Sequence, residues 1–296
     1  MRILTQALLI AFAGLVMGMP CMASQAVRLP TGRHYFIDLP PKGGAAAPLI
    51  IVFHGGGESA RSVANYSGLS APANARGYAV MYPSGSGRLG LFPTWNAGNC
   101  CVYAMLHHID DVGFTAALID DAVQRFGINR HRVFLTGISN GAMMSYRVAA
   151  ERPDLVAGIA PVAGSLITVT INIKGAVPIV DFHGDADHFA RYQGGLGRFS
   201  NEMLRSVPES LAAWAKANGV SQTPTLTLMP DVANDGTRVE RLDYGKGKAP
   251  LVHYKILGGG HTWPGATRDV HFLGPTTRNI DADQIMLDFF DAQPSR

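Results

Sequence analysis

Val133-Phe-Leu-Thr-Gly-Ile-Ser-Asn-Gly-Ala142 is the stretch that decides the fold of this 296-residue chain. Its apolar first half predicts a short buried strand, and the residues from Ala142 onward predict a helix. Between them lies Gly137-x-Ser139-x-Gly141, a turn so tight that only small residues fit two places either side of the serine. Such a turn lifts the Ser139 hydroxyl clear of the backbone and makes it a candidate nucleophile. The alternative is a glycine-rich turn with an incidental serine, and partners elsewhere in the chain decide between the two.

Strand and helix patterns alternate along the rest of the chain. Continuous apolar runs are typical of strands buried on both faces of a parallel sheet. The predicted strands are Gly32–Leu39, Leu49–Phe53, Tyr78–Tyr82, Arg132–Ile138, Val156–Ala160, Val177–Phe182, Pro224–Met229, Val239–Tyr244 and Leu251–Leu257, and the predicted helices are Ser62–Arg76, Phe114–Phe126, Pro208–Asn218 and Asp281–Phe290. Pro83–Asp111 is predicted to be a long loop. The alternation predicts one α/β domain over 24–296, with a mostly parallel sheet and helices on both faces.

Asp187 and His261 are the candidate partners of Ser139. A serine nucleophile needs a base to take its proton and a carboxylate to orient that base. Asp187 follows the strand that ends at Phe182, and His261 follows the last predicted strand through a run of three glycines. The order serine, acid, histidine is that of the α/β-hydrolase fold. We therefore predict a catalytic triad of Ser139, Asp187 and His261, although Asp185 and Asp187 each also suit a turn.

An oxyanion hole requires backbone N–H groups beside the nucleophile. Asn140, which follows the serine, is predicted to supply one of them. The glycine run after His54 is predicted to supply the other, from Gly56 or Gly57, because glycine lets a backbone N–H approach a substrate closely. A simple strand-to-helix glycine turn is the alternative interpretation of this run.

Together these motifs resemble the secreted polyhydroxybutyrate depolymerase and feruloyl esterase group of α/β-hydrolases. The matching segments, in chain order, are His54–Gly57, Trp95-Asn96 with Cys100-Cys101, Asp110–Phe114, Gly137–Met143, Pro153–Leu155, Ala160–Gly164, Phe182–Asp187 and Gly258–Gly265. The resemblance implies an exported ester hydrolase with Ser139, Asp187 and His261 as its triad and with no cofactor or metal. It favours Asp187 over Asp185, because the acid of this group sits four residues beyond the histidine of its segment.

The cysteines are where the chain departs from this group. Members often carry a further cysteine after the segment matching Ala160–Gly164, and residues 166–177 contain none. Cys100 and Cys101 are then both free, joined to each other, or paired between chains, and all three states stay open. Position 185 departs as well, with Asp where a small hydroxyl residue is usual.

The first residues predict an export signal. Arg2 precedes an apolar run of thirteen residues, Ala7–Met19, and small residues offer cleavage after Ala23 or Ala26. Thirteen residues are too few to cross a bilayer core of about 30 Å, so we expect a secreted or periplasmic protein without a membrane anchor. The chain is 47% apolar and 16% charged with a formal net charge of +3. No basic run indicates nucleic acid or an anionic membrane as a partner.

A metal site is a weaker interpretation of a group of polar residues ahead of the Phe114 helix. His107-His108 and Asp110-Asp111 are residue types that bind metals, but the two acids are better explained as caps of that helix. We therefore predict no metal site.

Aromatic residues on the predicted loops guide the choice of substrate. Trp95 and Trp263, with Phe92 and Tyr103, are predicted to form a wall for an aromatic acyl group or simply to pack within the loops. The two tryptophans favour feruloyl-type or other small esters, because a flat ring gains stacking contacts there. The chain ends about six residues after its last predicted helix, so no polymer-binding domain is expected to follow. The alternatives are a hydroxyalkanoate oligomer depolymerase, a serine peptidase of the same fold and a non-catalytic binding protein, and the oligomeric state stays open.

Overall fold

The computed structural model describes residues 24–166, 171–196 and 203–295. The predicted signal segment up to Ala23 therefore lies outside the described residues. The helices are α1 (Ala60–Ser67), α2 (Ser70–Ala75), α3 (Val102–Leu106), α4 (Asp111–Phe126), α5 (Asn140–Glu151), α6 (Val207–Asn218) and α7 (Ala282–Asp291). The strands are β1 (Gln25–Arg28), β2 (His34–Asp38), β3 (Leu49–Phe53), β4 (Ala79–Pro83), β5 (Ser86–Arg88), β6 (Leu91–Thr94), β7 (Val133–Ile138), β8 (Gly158–Val162), β9 (Ile179–Gly184), β10 (Gly195–Leu196), β11 (Met203–Leu204), β12 (Thr225–Leu228), β13 (Arg238–Asp243) and β14 (Leu251–Leu257).

Ten of these strands form one sheet in the order β1-β2-β4-β3-β7-β8-β9-β14-β13-β12. The strands from β4 to β14 in this order run parallel, and antiparallel pairs close both edges. The strands β3, β4, β7, β8 and β9 are buried at every position, because helices cover both faces. The predicted mostly parallel α/β sheet is thus confirmed.

The helices bury their apolar residues in two clusters, one on each face of the sheet. One cluster contains Leu118 of α4, Tyr146 of α5 and Trp214 of α6. The other contains Val63 of α1 and Phe290 of α7. Within the described residues, no helix is both long and apolar enough to cross a membrane.

Two predicted segments differ from the structure. The predicted helix Ser62–Arg76 is broken at Gly68, which ends α1 in the left-handed conformation that favours glycine. The predicted loop Pro83–Asp111 contains the hairpin β5–β6 and helix α3, which lie outside the main sheet. These elements are only three to five residues long, so they lack the periodicity by which sequence reveals longer ones.

Candidate active site

Ser139 occupies the turn between β7 and α5. Its φ of 59° and ψ of −122° are unusual for a residue with a side chain, and they hold the half-buried serine out of both flanking elements. A Cβ at Gly137 would lie 2.5 Å from the carbonyl oxygen of Phe53, and a Cβ at Gly141 would collide with the same atom. The small residues around the serine are therefore required by the close approach of β3.

His261 and Asp187 reach this edge of the sheet from the loops after β14 and β9, which pair in parallel. The Nδ1 atom of His261 lies 2.7 Å from Oδ2 of Asp187. His261 and Ser139 line one cavity. The structure thus holds Nδ1 of His261 on the Asp187 carboxylate and brings His261 into the cavity that Ser139 lines.

Asp187 is buried and every one of its observed contacts favours the ionised form. Its Oδ1 accepts the N–H groups of Phe189 and Ala190, both at 2.8 Å. Its Oδ2 also lies 3.4 Å from Nε2 of His183. Burial alone would raise the pKa of Asp187, but the contacts with His183 and His261 hold this pKa well below its usual range.

Asp185 has a different environment although it is two residues away. Its Oδ1 accepts the N–H of Gly258, and its Oδ2 lies 3.6 Å from Nζ of Lys255. Asp185 is exposed and stabilises the turn that leads from β14 toward His261.

The oxyanion region corrects one sequence expectation. Gly57 donates its N–H to the carbonyl of Pro93 at 2.9 Å, so this group is not available to a substrate. Gly56 faces Asn140, because a Cβ on Gly56 would lie 3.8 Å from the Asn140 Cβ. Asn140 is the first residue of α5, where a backbone N–H has no acceptor within its own helix. Gly56 and Asn140 are therefore the two candidate donors.

A series of buried hydrogen bonds holds the Asn140 side chain in place. The Asn140 side chain accepts the N–H of Trp95 at 2.7 Å and donates to the Trp95 carbonyl at 3.0 Å. The Trp95 indole donates in turn to the carbonyl of His54 at 2.9 Å. His54 accepts the N–H of Gly85 on Nε2, and burial lowers the pKa of His54 to about 4, so its ring is neutral at pH 7.

Trp95 and Trp263 do not form the aromatic wall expected from the sequence. Both are buried, with 0% and 1% of their surface exposed, and neither lines the cavity beside Ser139. The Trp263 indole donates to Oδ1 of Asp283 at 2.9 Å. Large rings with a polar N–H suit packing within buried loops, where the N–H finds an acceptor. Packing within the loops was the other interpretation of these two tryptophans. Of the remaining two aromatics, Phe92 lines the cavity, whereas Tyr103 packs on His107.

The cavity measures about 630 Å³ and has walls of different character. The wall formed by α1 and the residues before it is polar and includes Glu58, Asn65 and Tyr66. Burial raises the pKa of the Glu58 carboxyl, whose Oε2 accepts the N–H of Gly55 at 3.2 Å. The apolar part of the lining, here called the apolar wall, consists of Phe92, Cys100, Cys101, Val102, Met143, Phe189, Leu204 and Phe272.

Cys100 and Cys101 are joined to each other by a disulfide in this apolar wall. Of the three states that the sequence left open, the structure has the one in which the neighbours are paired. The Cys100 Sγ lies 4.0 Å from Nδ2 of Asn140, so the disulfide touches the residue that follows the nucleophile.

The two acids at the start of α4 have structural roles, but only Asp110 is the predicted cap, because Asp111 is the first residue of the helix. Asp110 caps the helix by accepting the N–H of Gly113 at 2.8 Å, as predicted. Asp111 is buried and pairs with Arg33 at 2.6 Å, and its other oxygen accepts the N–H of Asn96. This pair fastens the end of the long β4–α4 connection to the body of the protein.

Sequence reasoning missed two polar residues beside the triad. His183 contacts Asp187, and Glu58 lines the cavity, but neither residue was predicted from the sequence to have a role in the site. The spacing of four between His183 and Asp187 was visible in the sequence, whereas the position of Glu58 in the cavity depends on the path of the chain before α1.

Comparisons with known proteins agree with this fold and place the chain among esterases. No protein-family model matches the chain. A protein named as an esterase, NocK of Nocardia uniformis subsp. tsuyamanensis, is 30% identical over 257 residues, which cover 82% of this chain and 73% of that protein. The chain therefore belongs to the esterase family of α/β-hydrolases that includes NocK.

Two relatives whose names specify a substrate match this chain over a smaller share of their own length than NocK does. Poly(3-hydroxyalkanoate) depolymerase C of Paucimonas lemoignei is 30% identical over 79% of this chain and 59% of that protein. Feruloyl esterase B of Piromyces equi is 29% identical over 74% of this chain and 40% of that protein. An acetyl xylan esterase structure from Aspergillus awamori has a TM-score of 0.62 at 18% identity, covering 91% of this chain and 99% of that one, which shows a shared fold.

Proposed function

We propose that the protein hydrolyses carboxylic esters through an acyl-enzyme formed on Ser139. The Ser139 hydroxyl attacks the ester carbonyl and passes its proton to Nε2 of His261, whose Nδ1 is held by Asp187. The N–H groups of Gly56 and Asn140 stabilise the oxyanion, and His261 then protonates the leaving alcohol. Water repeats the sequence to release the acid. The observation that carries this proposal is the 2.7 Å contact between His261 and Asp187 in loops that also bring His261 into the Ser139 cavity.

Feruloyl-type and other small esters remain the proposed substrates, with different residues supporting the choice. Phe92, Phe189 and Phe272 line the cavity where the two tryptophans do not. Rings of this kind favour a flat aromatic acyl group by about 0.5–1.5 kcal/mol beyond simple burial, which is about tenfold in specificity at most. We further propose export through a signal segment that is cleaved after Ala23 or Ala26, and N-terminal sequencing of the mature protein tests this.

A hydroxyalkanoate oligomer is the second candidate, supported by exposed apolar residues near the cavity. Leu89 and Leu91 of the β5–β6 hairpin are 92% and 72% exposed, and Phe272 of the cavity lining is 68% exposed. An apolar rim of this kind suits contact with a polyester surface.

Turnover of an ester panel by the wild-type protein and Ser139→Ala tests the proposal. We expect Ser139→Ala to lower kcat for p-nitrophenyl acetate by about 10⁴-fold or more without loss of the fold. A fluorophosphonate probe should label only the wild type, and near-normal turnover by folded Ser139→Ala would refute the nucleophile. Comparing kcat/KM for methyl ferulate and a soluble hydroxybutyrate dimer ester ranks the substrates. Clearing of a polyhydroxybutyrate suspension with negligible ferulate turnover would favour the second candidate.

A further inference from the structure

Asp187 is shared by two histidines. Its Oδ2 atom lies 2.7 Å from Nδ1 of His261 and 3.4 Å from Nε2 of His183. Only His261 lines the cavity, whereas the His183 side chain is 1% exposed and lies at the end of β9. His183 therefore cannot meet a substrate, and any effect that it has on the reaction passes through Asp187.

The contacts of His183 define which of its ring nitrogens carries a proton. Nε2 lies 2.7 Å from the carbonyl oxygen of Ala190, an atom that can only accept a hydrogen bond. Nε2 must therefore be the protonated nitrogen, and its N–H binds the Ala190 carbonyl rather than Oδ2 of Asp187, which lies 3.4 Å from Nε2. Ala190 in turn donates its own N–H to Oδ1 of Asp187 at 2.8 Å. His183 thus closes a ring of contacts with Ala190 and Asp187.

A buried polar chain extends from this ring toward the helix of the nucleophile. Tyr192 packs edge-on against His183 with ring centroids 5.8 Å apart, and its hydroxyl lies 3.1 Å from Nε2 of His253. Nδ1 of His253 is 2.7 Å from Asp181, which accepts the hydroxyl of Tyr146 on α5 at 2.8 Å. Asp181 and His253 are adjacent across β9 and β14. The elements that carry the acid, the base and the nucleophile are therefore joined below the site.

We infer that His183 is a positioning residue, whose Nε2–H binds the Ala190 carbonyl and thereby keeps the Ala190 N–H on the Asp187 carboxylate, in the orientation that His261 requires. This inference rests on the proposed role of Asp187 in the triad. Loss of the Nε2 donor releases Ala190, whose N–H binds Oδ1 of Asp187, so the carboxylate gains freedom to turn away from His261. Misplacement of a catalytic group by about 1 Å costs up to about a hundredfold in rate.

The matched pair His183→Asn and His183→Gln tests the inference. The glutamine amide reaches the position of Nε2, whereas the asparagine amide reaches only that of Nδ1. We expect His183→Asn to lower kcat for p-nitrophenyl acetate about ten- to hundredfold with little change in KM, and His183→Gln to recover most of this loss. If His183→Asn does not fold, His183→Leu takes its place. Tyr35→Phe, which removes a buried hydroxyl contact with Asp121 near the far edge of the sheet, is the control for lost stability alone.

A double-mutant cycle with Asp187→Asn separates positioning from general support of the core. When Asp187→Asn is already present, His183→Asn should change kcat by less than about twofold, because both changes act through one group. Unchanged kcat in His183→Asn, or an equal loss of kcat in both backgrounds, would overturn the inference while leaving the triad in place. Full activity in Asp187→Asn would instead overturn the proposed function.

Discussion

Asp185 and Asp187 are the two candidate acids for the predicted triad, and their surroundings differ sharply. Asp187 is buried against two histidines and two backbone N–H groups. Asp185 is exposed and binds the N–H of Gly258. Both side chains are carboxylates, so what distinguishes Asp187 as the residue that orients an imidazole is its burial and its hydrogen bonds.

Asp185→Asn is expected to change kcat by less than about threefold, because an amide oxygen can still accept the N–H of Gly258 and an exposed ion pair contributes only about 0–1 kcal/mol. Asp187→Asn is expected to lower kcat by about 10⁴-fold, since an amide favours the wrong tautomer of His261. Rates of p-nitrophenyl acetate hydrolysis by the two variants check this. The reverse order of effects would place the acid at position 185.

At the scale of elements, the connection between β4 and α4 forms one wall of the cavity. It contains the β5–β6 hairpin, α3 and the Cys100–Cys101 disulfide, and the Arg33–Asp111 pair fastens its far end. The backbone of Cys101 donates to the Trp95 carbonyl at 3.1 Å, and Trp95 is clasped by Asn140. The disulfide is therefore part of the apolar wall and contacts Asn140 of the oxyanion region.

Cys100→Ser with Cys101→Ser is expected to raise KM for methyl ferulate by about tenfold, because a misfit of one methylene in an apolar pocket changes binding by at least about 1 kcal/mol. The kcat for p-nitrophenyl acetate should change much less, since neither sulfur takes part in the chemistry. Steady-state kinetics of the double variant, and of the wild type after reduction with a dithiol, measure this. Two free thiols in the denatured, unreduced wild type would contradict the disulfide itself.

At the scale of the molecule, the last helix is fastened to the loop of the catalytic histidine. Asp283 in the first turn of α7 accepts the indole N–H of Trp263, two residues after His261. Burial raises the pKa of Asp283 to about 7 from an ordinary value of 3.8, while the indole bond opposes this rise. Because the folded-state pKa lies above the unfolded value, the stability due to protonated Asp283 is fully present below pH 3.8 and is lost as the pH rises through 7.

Asp283→Asn is therefore expected to stabilise the protein at pH 8 by about 1–4 kcal/mol and to approach the wild type at pH 4, because asparagine keeps an acceptor for the indole and is never charged. Thermal unfolding of both proteins between pH 4 and pH 8 checks this. Asp288→Asn, on the exposed face of the same helix, is the matched control. Its stability relative to the wild type should change little with pH. A wild type that is more stable than Asp283→Asn at pH 8 would contradict the buried, protonated state.

The sequence by itself determined the elements whose signals are local. The elbow around Ser139 is visible because close approach to Phe53 allows only glycine at 137 and 141. The parallel strands are visible because burial on both faces requires continuous apolar runs. The order of Ser139, Asp187 and His261 along the chain then indicated which loops meet, and the structure places them at one edge of the sheet.

Only the tertiary structure decided which groups face the cavity. A tryptophan looks the same in a sequence whether its ring stacks on a substrate or packs in the core. The burial of Trp95 and Trp263 therefore could not be predicted from the sequence. The engagement of the Gly57 N–H by Pro93 depends on how the 27-residue connection between β4 and α4 folds back, and that path leaves no periodic pattern. The second histidine on Asp187 likewise depends on a turn that returns Ala190 to the end of β9. These contacts join residues through loop geometry, which short-range propensity does not encode.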